Sequence, residues 1–223
     1  PTFGSVTQSL NTSSNKVSEF YLNYAKDVES IRSRFDATAG YGYYDNSKTT
    51  YNYNEYNALG GLRTTPKFPY FVDRNKLLSY YGRLVYTLAD KYILSGTMRA
   101  DASSKFSENN RWGYFPSVGL TWKINGENFL KDSKAVSDLK LRLSYGKTGN
   151  KDGVPGKTDA ETIGDYSYLA KYYANSTTGQ YQIGDTFYDY YAPSAYDPDL
   201  RWETTSTYNA GLDYGFLQGR IYG

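Results

Sequence analysis

The residues with most scope for chemistry in this sequence are its carboxylates, its tyrosines and one Gly-Lys-Thr triplet, because it contains neither histidine nor cysteine. Those two absences remove the commonest general base and metal ligand, thiolate metal sites and disulfides. Gly146-Lys147-Thr148 matches the last positions of a phosphate-binding loop, but that loop needs an earlier glycine at position 141, where this chain has Leu141. Acidic residues gather at Asp185, Asp189, Asp197, Asp199 and Glu203. Two carboxylates roughly 5 to 10 Å apart could hydrolyse a glycosidic bond. A solvated outer loop with a weak calcium site accounts for the same acids. No catalytic, cofactor-binding or metal-binding residue is therefore assigned. Tyr166, Tyr168, Tyr172, Tyr173, Tyr181, Tyr188, Tyr190 and Tyr191 are interleaved with Asn, Asp, Gln and Thr. Tyrosine faces stack on the apolar side of pyranose rings while amides and carboxylates bond hydroxyls, so this stretch suits substrate contact. It suits docking of a protein lid, or plain loop packing, as well.

The elements that must position these residues are extended. Seven segments alternate apolar or aromatic with polar residues at a period of two. The first is short, with Phe20, Leu22 and Tyr24 on one face. Residues 31–43 put Phe35, Ala37, Ala39, Tyr41 and Tyr43 opposite Arg32, Arg34, Asp36 and Thr38. The others cover 77–88, 92–101, 112–124, 138–148 and 202–214, and residues 220–222 open a further one. At ~3.3 Å per residue and a tilt near 40°, strands of ten to thirteen residues reach roughly 25 to 33 Å, the height of a bilayer's apolar band. Connections alternate in length. Residues 27–30, 89–91 and 215–218 read as tight turns, while 44–76, 102–111 and 149–201 are long, polar and rich in Tyr, Asn, Ser and Gly. Only 125–137 breaks the rhythm, and its Glu127-Asn128-Phe129-Leu130-Lys131 core could form one helical turn. Short inner turns with long outer loops, and aromatics near strand ends, are habits of outer-membrane barrels. Inward-facing Arg32, Arg34, Arg83, Arg99, Lys123, Lys140 and Arg142 are expected to pair with Asp36, Asp101, Asp213 and a lumen plug.

Composition agrees. Of 223 residues 27 are Tyr, and the mean hydropathy of -0.69 suits a barrel, in which only every second strand residue meets lipid. No stretch approaches the ~18 apolar residues of a spanning helix. With 25 Lys plus Arg against 23 Asp plus Glu, there is no electrostatic case for a nucleic-acid partner. The sequence opens on Pro1-Thr2-Phe3-Gly4 without an export leader and stops at Gly223 in mid-pattern, so it reads as a fragment. Asn11-Thr12-Ser13 and Asn175-Ser176-Thr177 fit the glycosylation acceptor pattern, incidental in a bacterial setting.

A longer set of strings carries a resemblance. Tyr81-Gly82-Arg83-Leu84, Lys91-Tyr92-Ile93-Leu94, Arg99-Ala100-Asp101-Ala102-Ser103-Ser104-Lys105-Phe106, Arg111-Trp112-Gly113-Tyr114-Phe115-Pro116-Ser117 and Phe129-Leu130-Lys131-Asp132 occur in order. They continue through Leu139 to Gly146, Thr148-Gly149-Asn150, Leu200-Arg201-Trp202-Glu203-Thr204-Thr205 and Gly211-Leu212-Asp213-Tyr214. This block resembles the SusC/RagA class of TonB-linked outer-membrane transporters. The resemblance implies an all-β, antiparallel transmembrane β-barrel segment, about eight strands of a barrel of about 22 with a plugged lumen. It also implies import of oligosaccharides or peptides in the outer membrane of a Gram-negative bacterium, a SusD-like surface lipoprotein as lid, and energy from the TonB complex. Plug, TonB box and N-terminal extension are not in this sequence, so residues 1–223 read as part of the barrel domain alone, with outer loops at about 44–76 and 149–201. The competing readings are a small stand-alone eight-stranded barrel for adhesion or anchoring, and a soluble carbohydrate-binding β-sandwich. The sandwich would bury its Tyr and Leu face.

Overall fold

The computed structural model describes residues 4–130, 133, 135–152, 165–193 and 196–223, with backbone alone over 173–180 and 189–193. One antiparallel sheet dominates it. In chain order, β1 (Ser5–Val6) precedes the long β2 (Ser9–Val28) and β3 (Ser33–Asn52), and the short β4 (Glu55–Asn57) and β5 (Leu62–Thr64) follow. Next come β6 (Tyr70–Leu88), β7 (Tyr92–Ser103), β8 (Trp112–Lys123) and β9 (Val136–Asn150). The chain then forms β10 (Tyr172–Ile183), β11 (Thr186–Pro193), β12 (Glu203–Phe216) and β13 (Ile221–Tyr222). The main sheet has eight strands in the order β13-β12-β9-β8-β7-β6-β3-β2, every neighbour antiparallel and joined in sequence, and it is open at β2 and β13. Separate small sheets, β1-β4-β5 and β10-β11, lie in the outer connections.

The period-two faces survive intact across the register. Tyr24, Ala37, Leu84, Gly96, Val118, Tyr145 and Tyr208 form one cross-strand row. One residue along, Asn23, Thr38, Arg83, Thr97, Ser117, Gly146 and Thr207 form a row on the opposite face. The apolar row is not covered: Tyr24 is 61% exposed, Leu84 49% and Tyr208 78%. A sandwich would have buried these side chains under a second sheet. A single layer with a continuous apolar face needs hydrocarbon against it. Aromatics bracket that face. Near the outer ends Tyr41 packs on Tyr80 at 5.4 Å, and Tyr80 stacks with Trp112 at 6.3 Å. Near the inner ends Tyr92 stacks with Trp122 at 6.3 Å.

Four differences from the sequence expectation have physical causes. The first segment is a 20-residue strand, and β3 and β6 extend through 44–52 and 70–76, which the sequence pattern assigns to a loop. Those extensions show no apolar alternation because they stand in water beyond the apolar band, where pairing needs β-prone Thr, Tyr and Asn but no greasy face. The outer connection proper is thus 53–69, and within 149–201 the chain forms the β10-β11 hairpin, which no alternation in the sequence marks. Arg32 is not on the polar face of β3; it takes a left-handed conformation with φ 48 and closes the β2–β3 turn after a 3-10 turn at Glu29–Ile31. Between β8 and β9 a 3-10 turn at Ile124–Gly126 precedes a turn closed by Leu130 N–H bonding Glu127 C=O, so the helical tendency is present but split.

Candidate functional site at the outer rim

Most apolar side chains of this sheet are exposed, and the buried ones mark where packing has been built deliberately: Ala102, Phe106 and Phe115. Phe106 and Phe115 sit at the outer end of the sheet and both contact Trp202, at 5.3 and 5.2 Å between ring centroids. The arrangement follows from a break in pairing. β7 and β8 are paired up to Ala102 and Trp112, and β9 and β12 up to Asn150 and Glu203, yet the β8–β9 ladder stops at Ser117 and Gly146. The stop falls immediately after Pro116, which has no N–H to give to a ladder. Phe115 fills the resulting seam. A Cβ on Gly149 would lie 2.1 Å from the Phe115 ring and one on Gly113 2.5 Å, so the two glycines make the slot into which the ring fits. Trp202 caps it and donates its indole N–H to the Arg111 carbonyl at 2.9 Å.

A polar clasp continues from this cluster. Lys105, buried beside Phe106, donates to Asp152 at 2.6 Å and stands 3.9 Å from Asp165. Burial at Asp152 opposes ionisation, but hydrogen bonds from Lys105 and Lys151 outweigh it and hold the carboxyl below the usual carboxylate range. Asn75 donates to Asp165 at 3.3 Å and accepts from Asn46 at 3.3 Å; Lys171 donates to the Asp165 carbonyl at 2.7 Å. Arg74 reaches across to buried Asp45 at 2.8 Å. Strands β3 and β6, the 104–111 connection and both ends of the longest loop are thereby tied at one place.

The family-motif residues separate into three groups. Arg111, Gly113, Phe115, Pro116, Ser117 and Trp202 assemble the seam. Arg99 and Asp101 lie lower on the lumen face of β7, where Arg99 donates to Asp101 at 2.7 Å and to Ser79 at 2.9 Å. Trp112 belongs to the aromatic row on the lipid face, and Glu203 accepts from Asn150 at 3.1 Å. The expected lumen pairs form between Arg34 and Asp36 and between Arg142 and Asp213, and Lys140 pairs with Asp138; Arg83 and Lys123 make no ion pair among the described residues. Lys105, Gly149, Asp152 and Asp165 carry no site signal of their own in the sequence, although Lys105-Phe106 and Gly149 lie inside the resemblance strings.

The loop tyrosines are arranged on the hairpin and its base. Tyr166 adopts φ 64 in a turn, with the Lys171 ammonium 6.0 Å from its ring centre, and Tyr168 follows in the same turn. Tyr172 opens β10 and is exposed. Tyr181 and Tyr188 are cross-strand partners, 69% and 53% exposed, beside exposed Ile183 and Phe187. Tyr173, Tyr190 and Tyr191 fall on β10 and β11, but their side chains lie outside the described residues. Among the described residues no cluster of acids has metal-binding geometry.

With one face suited to lipid, short inner turns, long outer loops and a built outer rim in place, comparison with known proteins is decisive. The model of the TonB dependent receptor-like β-barrel family matches residues 2–223. The chain belongs to this family. It is 51% identical over 154 residues to the TonB-dependent receptor SusC of Bacteroides thetaiotaomicron, a match covering 69% of the chain and 14% of that protein. To the TonB-dependent receptor P3 of Formosa agariphila it is 32% identical over 228 residues, covering 98% of the chain and 21% of the relative. In structure it is similar to a chain of the RagAB peptide transporter, with TM-score 0.73 and 26% identity over 96% of this chain and 23% of the other. The SusC/RagA-like character and the outer-membrane location follow. This family is one of receptors and transporters, not of enzymes. The chain spans less than a quarter of the length of these relatives.

Proposed function

We propose that residues 1–223 form barrel wall and outer loops of a TonB-dependent importer of oligosaccharides, working with a SusD-like surface lipoprotein lid and the TonB complex. The observation that carries the reading is the exposed aromatic hairpin β10-β11, which lies in the outer connection between the two strands, β9 and β12, whose outer ends join the Phe106–Phe115–Trp202 cluster. Exposed Tyr181, Ile183, Phe187 and Tyr188, clustered on one hairpin, offer a lid a large aromatic contact area. Tyrosines with neighbouring amides also suit sugar rings.

The test uses the full-length receptor co-expressed with its lipoprotein. The double variant Tyr181→Ala/Tyr188→Ala should lower co-purification of the lipoprotein at least tenfold and slow growth on the cognate glycan, with the barrel still folded by its heat-dependent gel shift. Undiminished co-purification together with undiminished growth would remove the lid and substrate roles of the hairpin. Because the structurally similar RagAB is a peptide transporter, the growth assay includes a peptide mixture as sole nitrogen source. Receptor-dependent growth on peptides alone would replace the glycan reading.

A further inference from the structure

Outside the rim cluster and the tyrosine hairpin, one cleft has a lining whose chemistry is distinctive. It lies where the 53–69 connection folds back against β1 and the top of β3, encloses about 440 Å³, and is walled by Tyr53, Tyr56, Asn52, Asn54, Gln8 and Thr65. Val6, Pro66 and Pro69 complete it, and none of the lining residues carries a charge. Of the charged residues adjoining the lining in sequence, Arg63 and Glu55 stand 4.0 Å from each other, and Lys67 follows Pro66 without itself lining the cleft. The frame is preformed. Asn52 N–H bonds the Pro69 carbonyl at 2.9 Å, and the Asn52 side chain donates to the Phe68 carbonyl at 3.1 Å. The β4–β5 turn is closed by Asn57, whose side-chain oxygen accepts from Leu59 and Gly61 at 3.0 and 2.7 Å, with Gly60 at φ 81. Ala58 N–H bonds the Gly4 carbonyl at 2.9 Å, which pins β1 to the same turn.

Two phenol rings 41% and 39% exposed offer stacking faces beside neutral polar groups, of which the Asn54 amide donates to the Tyr56 hydroxyl at 3.4 Å and so presents that pair to the cleft as one hydrogen-bonding unit. Charged ligands would find no counter-ion on these walls, and a peptide would find no partner for its termini. A ligand whose polarity is all hydroxyl and whose rings have an apolar face satisfies both features. From this we infer that the Tyr53–Tyr56 cleft is a second outer binding site for a neutral oligosaccharide, a capture subsite distinct from the tyrosine hairpin. The inference rests on the glycan reading of the importer for its substrate class.

The experiment uses the detergent-solubilised full-length receptor and isothermal titration with neutral hexasaccharides of glucose and mannose, an acidic galacturonate oligomer and a tryptic peptide mixture. Tyr53→Ala and Asn54→Ala should each weaken neutral saccharide binding at least fivefold, whereas Tyr53→Phe, which keeps the ring, should stay within about twofold of wild type. Tyr181→Ala serves as the comparison at the hairpin. Should neutral saccharides bind while Tyr53→Ala and Asn54→Ala leave affinity unchanged, the cleft is not a subsite and the importer reading stands. Should only the acidic oligomer or the peptides bind, both the cleft assignment and the glycan reading fail.

Discussion

At the scale of single residues, Phe115 and Pro116 do opposite jobs in adjacent positions. Pro116 ends a ladder, and Phe115 fills what the ending leaves open. An aromatic side chain buried in a tight slot is worth about 3 kcal/mol or more against alanine. Phe115→Ala in the full-length receptor should therefore lower stability by about 3 kcal/mol in urea unfolding from lipid vesicles. An unchanged midpoint would mean that the seam closes without the ring. The lipid face gives a second residue-level prediction. Leu141 shares the lipid face of β9, and the register pairs it with Trp122, at the inner end of β8. Leu84 instead lies midway between Tyr80 and Leu88, the latter paired with Tyr92 of the inner aromatic stack. Leu84→Arg should cost about 2 to 4 kcal/mol and Leu141→Arg about 1 kcal/mol or less, because the cost of a charge falls toward the interface. Equal costs in the same unfolding assay would contradict the depths assigned here.

At the scale of elements, the inner turns are where local preference and the fold disagree. Ala89 and Asp90 have φ 51 and 57, and Leu217 and Gln218 have φ 52 and 59. Left-handed backbone is costly for residues with a Cβ, and two-residue turns of this kind favour Asn-Gly. Replacing Ala89-Asp90 by Asn-Gly should raise stability by about 1 kcal/mol; a loss would show that these side chains are needed at the inner rim. The β8–β9 turn is secured differently. Glu127 accepts from Tyr92 at 2.6 Å, from Trp122 at 3.1 Å and from Lys91 at 3.1 Å, and these bonds hold its carboxyl down from 4.5 to about 2. A carboxylate with a native value below its unfolded one stabilises fully above 4.5, and that contribution disappears as the pH falls toward 2. Glu127→Gln should thus lower stability at neutral pH and flatten the pH dependence between those limits; an unchanged slope would deny Glu127 that role. Legibility in the sequence divides along the same line. Strand faces were readable because Leu, Tyr and Val alternate with Arg, Thr and Ser wherever one side meets lipid. Strand ends in water, as at 44–52, were not, because no environment there distinguishes the two faces. The seam was half visible: Phe115, Pro116 and Trp202 stood out as a string, but Lys105, Asp152 and Asp165 come together only through the register of β7, β8 and β9.

For the whole molecule, the governing fact is that eight strands make one layer whose apolar side none of the described residues covers. A globular domain closes its hydrophobic face with a second layer. Here the lumen face is the one that resolves its own interactions, pairing Arg34 with Asp36, Arg99 with Asp101 and Arg142 with Asp213. The outward face, from Phe20 and Leu22 on β2 to Leu212 on β12, is left for solvent of another kind. Folding in water would expose this surface, which favours association. The full-length receptor should accordingly be monodisperse in detergent micelles by size-exclusion chromatography and should aggregate when the detergent is removed. Reconstitution into vesicles of lipid with a hydrocarbon core near 25 to 30 Å should restore the folded gel-shifted form, because that thickness matches the span between the aromatic rows. A monodisperse species in plain buffer would require some other element of the protein to cover Leu22, Leu84 and Val118, and a barrel facing lipid through these strands could not be the right description.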